Sequence, residues 1–354
     1  MFQDLTLEEL SEMRQKKELI TIDVRSPSEF EDATIPGSLN IPLFDDEERA
    51  EVGTLYTQVN VQAAKDRGLE IVSAKLPAFI KQFSQIPGNK VVFCWRGGMR
   101  SRTTATVLSL MGIHVYRLEG GFRAHRQGVM KALDELTITP PAIVLHGNTG
   151  SGKTAILHQL SDKGYPVLDL EAMAGHRGSV FGSIGLTAHN QKKFDALLID
   201  SLASNQHSPY LLLEAESKRI GKIVLPDQLI YKKEEGHQIW LDLPIEARVQ
   251  HILEEYHPSD HQEECMRAFI QIKSRIHTPI AAEIEQCLKT ERFDSAIELL
   301  LIHYYDQRYA HSSLSNIENR SVVKVDSIVD AVHEIEQLLL RFEPKSNMEP
   351  IVKC

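Results

Sequence analysis

The chain has 354 residues, enough for two or three domains that each bury a core, and at 42% hydrophobic and 25% charged it is not the composition of a disordered protein. No apolar run reaches the roughly 18–20 residues that crossing a bilayer takes, so no membrane association is expected. A net charge of -10 argues against a nonspecific nucleic-acid binder, because neutralising phosphates takes a basic surface.

The N-terminal stretch MFQDLTLEELSEMRQKK is charged and lacks the apolar core of a secretory signal, which points to the cytoplasm. Cys94, Cys265, Cys287 and Cys354 are far apart, with no CxxC pair and no zinc spacing. The question they raise is whether one thiol is placed for chemistry.

In chain order, ELITIDV (18–24), KVVFCW (90–95) and HVYRLEGG (114–121) read as buried strands. SAKLPAFIKQFSQ (73–85) and RSRTTATVLSLMG (100–112) carry helical spacing between them. Such alternation predicts a parallel sheet covered by helices over residues 1–136, with TITPP (137–141) as linker. A second α/β domain over 142–243 begins with the strand AIVLHG (142–147), the loop GNTGSGKT and the helix TAILHQLSDKG (154–164). PVLDLE (166–171), YLLLEA (210–215) and QIWLDL (238–243) supply its further strands. From 244 to 354 the apolar residues recur every three or four positions, predicting a C-terminal helical region packed on the second domain, with KSNMEPIVKC fraying at the end.

Cys94 follows an apolar strand and opens CWRGGMRS, which runs into a helix. Glycines at 97 and 98 let backbone N–H groups turn around an anion, and the helix aims its positive end at the same point. With Arg96 and Arg100 nearby, this setting favours the nucleophilic thiolate over an inert core cysteine. The candidate anion loop is therefore Trp95, Arg96, Gly97, Gly98, Met99, Arg100 and Ser101 around a catalytic Cys94. From Arg96 to Lys131 the basic residues Arg96, Arg100, Arg102, Arg117, Arg123, Arg126 and Lys131 face a single acid, Glu119. A run of that kind is usually a solvated face, but here it starts inside the thiol loop and favours an anionic ligand.

Gly147, Asn148, Thr149, Gly150, Ser151, Gly152, Lys153 and Thr154 match G-x4-G-K-[ST] between a strand and a helix. The glycines let backbone donors surround phosphate oxygens, Lys153 adds a charge, and Thr154 is the candidate ligand if magnesium binds. Glu214 and Asp169 are candidates for the acidic side of that site. ATP, GTP or another diphosphate all stay open as the occupant. LEAMAGHRGSVFGS (170–183) and EAESKRIGKIVLP (214–226) read as surface loops which together make a candidate basic rim for a polynucleotide backbone.

IDVRSPSEFEDATIPGSLNIPL (22–43), CWRGGMRS and RLEGGFRAHR (117–126) together resemble a rhodanese domain. In that family the matching cysteine carries sulfur or selenium. Asp23, Arg25, Glu29 and Phe30 match its opening motif and are expected to be mainly structural, with Ile35, Pro36 and Gly37 fitting the next turn. Five residues separate Cys94 from Arg100 where ordinary rhodaneses have four. The wider loop also resembles that of dual-specificity phosphatases and suits a tetrahedral anion.

A rhodanese domain joined to a P-loop domain that carries HRGSVFG and ESKRIG resembles the tRNA 2-selenouridine synthases. The resemblance implies replacement of sulfur by selenium in 2-thiouridine at the wobble position, with selenophosphate as donor and the anticodon loop of tRNA as partner. It also implies transfer of a geranyl group to that sulfur from geranyl diphosphate. Cys94 would accept selenium, and Arg123, Arg126, His176, Arg177, Lys218 and Arg219 are candidate tRNA contacts. Residues 52–72 form an insertion whose apolar side chains are a candidate seat for the prenyl chain. The alternatives are a C-x5-R phosphatase, a thiosulfate-type sulfurtransferase with an accessory nucleotide-binding domain, and a nonenzymatic nucleotide switch.

Overall fold

The computed structural model describes residues 2–16, 18–309 and 320–342, with Tyr309 as backbone alone. Cys354 and the tail KSNMEPIVKC lie outside the described residues. The chain divides into two compact units. One comprises the residues up to Leu136 together with Lys192–Asp200; the other comprises Thr137 to Gln191 and the residues from Ser201 on.

The first unit is built on five parallel strands, β1 (Gln3–Leu5), β2 (Leu19–Asp23), β3 (Leu39–Asn40), β4 (Asn89–Phe93) and β5 (Tyr116–Leu118). Their order across the sheet is β1-β5-β4-β2-β3. β1 and β3, at three and two residues, are too short to give a periodic signal in the sequence. Helices cover both faces because the central strand β4 is apolar on both sides, with Val91, Val92 and Phe93 all fully buried. Asp23 pairs with Phe93 in register, so Cys94 leaves the sheet at the carboxyl ends of the parallel strands, where open α/β sheets bind their ligands.

The insertion at 52–72 is helical. Asp46–Gln58 starts on a capping box between Asp45 and Glu48, and Val61–Ser84 starts on the Asn60 side chain. Val52, Ile71 and Val72 from this stretch pack into the core of the first unit.

The second unit contains a five-stranded parallel sheet of β6 (Ala142–Gly147), β7 (Val167–Leu168), β8 (Leu211–Glu214), β11 (His237–Asp242) and β12 (Arg320–Lys324). The order is β12-β11-β6-β8-β7. Between β8 and β11 lies a small antiparallel hairpin, β9 (Arg219–Ile220) and β10 (Ile223–Val224), where the sequence reading had a loop. Its turn is formed by Gly221 at a φ of +56°.

The region after Pro244 is helical but not only helical, since it returns β12 to the sheet edge beside β11. Helix Ile328–Leu339 then packs with the helix Lys153–Asp162 over the sheet, burying Ile156, Leu160, Ala331 and Ile335 in one cluster. Helices Gln262–Ile272, Thr278–Lys289 and Phe293–Leu300 build a separate apolar cluster around Phe269 and Ile284. That cluster also takes in Val180 and Phe181 from the HRGSVFG loop and Ile184 just after it.

Candidate functional site

Cys94 is 4% exposed, and its Sγ lies 3.2 Å from the Oγ of Ser101, which is buried in the first turns of the helix Met99–Leu110. The loop between them is held from behind by the second glycine motif. Phe122 N–H donates to the Cys94 carbonyl at 2.9 Å and Arg123 N–H to that of Trp95 at 2.9 Å. Gly97, Gly120 and Gly121 all have positive φ, and a Cβ on Gly121 would run into the Cys94 carbonyl and the Gly97 amide. RLEGGFRAHR is thus the backing of the CWRGGMRS loop.

The arginines of the loop have different partners. Arg100 grips the Glu29 carboxylate with both guanidinium nitrogens. Burial works against the charged Glu29, but Arg100 more than offsets it and holds the carboxyl below its usual range. Arg117 donates to the Gly97 carbonyl at 2.9 Å and pairs with Asp4. Arg117, in sequence one member of a basic run, is a direct support of the loop. Arg96 is exposed, as are Trp95 (41%) and Met99 (57%). Asp23 and Arg25 form a buried ion pair at 2.6 Å, and the Arg25 guanidinium lies over the Phe122 ring, so the opening motif also braces the glycine motif.

In the second unit the segment Gly147–Thr154 links β6 to the helix Lys153–Asp162. Gly150 and Gly152 have φ of +81° and +72°, which L side chains rarely adopt. A Cβ on Gly147 would collide with the Ser151 hydroxyl, and that buried hydroxyl has no hydrogen-bond partner. Lys153 Nζ donates to the Gly147 carbonyl at 3.2 Å, folding over the loop it would share with a phosphate.

Thr154 donates to Glu171 at 2.7 Å, and the backbone N–H of Glu171 donates to Glu214 at 2.7 Å. Burial, then neighbouring acids, pushes both carboxyls upward. The second oxygen of Glu214, fully buried, has no partner. An orphaned carboxylate oxygen, a threonine hydroxyl and Glu171 form a donor set that fits a divalent cation with oxygen ligands. Asp169 has another role: it caps the helix Leu170–Ala174 and pairs with His158 at 2.6 Å. Glu171 lies in a stretch whose sequence predicts a strand and which is instead the short helix Leu170–Ala174, so no local signal marks it as part of the site.

A cavity of about 570 Å³ opens from this loop and lies wholly within the second unit. One end is Gly150, Gly152, Lys153, Thr154 and Glu171; the other is Phe181, Ile184, Leu288, Phe293, Ala296 and Leu300. A π-helical turn, Leu301–Tyr305, closes part of the apolar end. Residues 52–72 line no part of it: Val52, Ile71 and Val72 pack in the core of the first unit, and Tyr56, Val59, Val61 and Leu69 are exposed.

The remaining predicted contacts divide. Arg177, read from sequence as a tRNA contact, lies in the cavity wall, where it pairs with Glu255 at 2.8 Å and covers the Tyr256 ring at 4.5 Å. His176 is packed between Gly182 and Gly221, holding the HRGSVFG and SKRIG turns together. Arg126 pairs with Asp195 at 2.9 Å. Arg123, Lys218 and Arg219 are exposed, with Lys218 in a surface pair with Asp227. Among the described residues no helix is long and apolar enough to cross a membrane.

Two family models match the chain. Residues 6–127 fit the rhodanese-like domain, and residues 140–337 fit the tRNA 2-selenouridine synthase AAA domain. Relatives named tRNA 2-selenouridine synthase include one from Nitrosomonas europaea, 37% identical over 66% of this chain and 63% of its own length. A second, from Bdellovibrio bacteriovorus, is 37% identical over 66% of this chain and 64% of its own, so the chain spans just under two thirds of these two relatives. A third, from Shewanella piezotolerans, is 35% identical over 82% of this chain and 87% of its own length.

Proposed function

The chain belongs to the tRNA 2-selenouridine synthase family, and from that premise we propose that it replaces sulfur by selenium in the wobble 2-thiouridine of tRNA, by way of an S-geranylated intermediate. The observation that carries the reading is the continuity of the phosphate loop with a cavity that has one apolar wall. A nucleotide needs a polar base pocket beside its phosphates; a prenyl diphosphate needs an anion cradle at one end and an oily channel at the other.

In the second unit, the amides of Gly147–Thr154 and the Lys153 ammonium hold the diphosphate of geranyl diphosphate. The ten-carbon chain lies along Phe181, Ile184, Phe293 and Leu300. Thr154 and Glu171 would hold magnesium, whose positive charge would favour departure of the diphosphate. Alkylation turns the thiocarbonyl sulfur into a better leaving group.

In the first unit, the loop from Trp95 to Ser101 receives the selenophosphate anion next to Cys94. The selenium of selenophosphate attacks C2 of the modified uridine, and the C2–S bond breaks with the alkylated sulfur leaving as a thiol. Water then cleaves the Se–P bond, releasing phosphate and returning a proton to N3. Exposed Arg96, Arg102 and Arg123 are proposed to hold the anticodon stem-loop, since single-stranded bases can be splayed out of a loop. Arg126 and Arg177 are withdrawn from that surface by their carboxylate partners. A cytoplasmic location is proposed with this activity, since its substrate is tRNA.

The test is mass spectrometry of tRNA nucleosides from cells with and without the gene. Loss of 2-selenouridine on deletion, and its return with this chain, is the expected result. Unchanged 2-selenouridine after deletion would sink the reading.

A further inference from the structure

His251 and Glu255 are one turn apart on the helix Ile245–Tyr256, and both line the cavity beside the phosphate loop. The Nε2 of His251 lies 3.3 Å from one oxygen of Glu255, whose other oxygen accepts from Arg177 at 2.8 Å. The imidazole packs on the loop itself: a Cβ on Gly152 would sit 3.7 Å from the His251 Cδ2. A histidine whose one nitrogen is engaged by a fixed carboxylate leaves Nδ1 for the substrate and stabilises the imidazolium that forms.

The chemistry of the alkylation calls for such a group. A 2-thiouracil ring carries a proton on N3, and its S-alkylated product does not. We propose that His251 is the general base of the geranyl-transfer step, accepting the N3 proton on Nδ1 as the sulfur attacks C1 of the allylic diphosphate. The C–S bond forms, and the C1–O bond breaks with its electron pair leaving on the diphosphate. The N3–H electrons become the C2–N3 double bond, and the proton stays on the imidazole. Glu255 is a positioning residue in this arrangement. Burial opposes its charge, while His251 and Arg177 more than offset that and keep the carboxyl below its usual range. The other charged groups that line the same cavity are Lys153, Glu171, Arg177, Glu216, Arg275 and Arg308.

This assignment rests on the prenyl-diphosphate reading of the cavity, and the experiment separates the two. Full-length protein is assayed with geranyl diphosphate and an anticodon stem-loop containing 2-thiouridine. His251→Gln is expected to lower kcat for alkylation by roughly 100- to 10,000-fold. The dissociation constant for geranyl diphosphate should stay within about threefold of the parent, since a base acts in the transition state and not in ground-state binding. Selenation of a stem-loop already geranylated should proceed at the parent rate, which also shows that the variant is folded. Added imidazole should restore part of the alkylation to His251→Ala. Parent kcat in His251→Gln, or a loss expressed wholly in geranyl diphosphate affinity, overturns the role of His251. Failure of the parent protein to bind geranyl diphosphate overturns the reading beneath it as well.

Discussion

The hydroxyl of Ser101 sits 3.2 Å from the sulfur of Cys94, both buried, across the loop that separates the end of β4 from the next helix. A hydroxyl so placed can donate to a thiolate, and a hydrogen bond to a charged group is worth about 1.5–3 kcal/mol. Ser101→Ala should therefore slow selenation by roughly tenfold or more, while Cys94→Ala abolishes it. Both variants should geranylate at the parent rate, because the cavity lies in the other unit. Separate assays of the two half-reactions check this, and loss of geranylation in Cys94→Ala would contradict the division of labour.

Gly121 carries the backing of the same loop at a φ of +60°, against the Cys94 carbonyl. Gly121→Ala combines backbone strain with a collision against backbone atoms that cannot swing away, at a cost of about 1–3 kcal/mol or more. Reduced thermal stability together with lost selenation is expected. A melting curve superimposable on the parent's would show that the loop yields.

At the phosphate loop, Lys153→Ala removes a charged partner of the diphosphate and should weaken geranyl diphosphate binding by roughly 10- to 100-fold. Thr154→Val and Glu171→Gln should instead blunt the dependence on magnesium. Isothermal titration with and without the metal distinguishes them. Equal affinity in Lys153→Ala would show that the ligand's charge lies elsewhere.

The apolar end of the cavity makes a sharper prediction. Leu300→Trp fills space that the prenyl chain would occupy, and each methylene denied burial forfeits about 0.8 kcal/mol. Geranyl diphosphate should bind at least tenfold more weakly, and inorganic diphosphate should bind as before. If both ligands weaken equally, the substitution has disturbed the loop and not the channel.

Stability should also depend on pH through His125, whose Nδ1 is buried without a hydrogen-bond partner. Burial, aided by Arg14 and Arg126, holds this imidazole down at about 4, against 6.5 for the free side chain. It is neutral in the fold, and the unfolded chain takes up the proton first. Its contribution is therefore complete above pH ~6.5 and is lost as the pH falls toward 4, a change on the order of 3 kcal/mol. Denaturant titrations at pH 7 and pH 5 should lie closer together in His125→Gln than in the parent; an unchanged gap would assign the acid sensitivity to other groups.

What the sequence determined by itself was local. Cys94 through Ser101 and Gly147 through Thr154 are contiguous strand–loop–helix segments, and their glycine spacing is a constraint on a few successive dihedrals, readable without any distant contact. The central strands were legible for the same reason, being apolar on both faces. Tertiary structure alone decided which charges are available. Arg100, Arg126 and Arg177 look equivalent to Arg96 in sequence, yet each meets a carboxylate between 69 and 78 positions away, at Glu29, Asp195 or Glu255. It also brought Glu171 to Thr154 and returned β12 to the sheet from the far side of the helical region. The cavity belongs to the same class: its apolar wall is assembled from side chains that helical periodicity marks only as core. Whether such residues close on one another or leave a channel is set by packing between helices, which no single helix encodes.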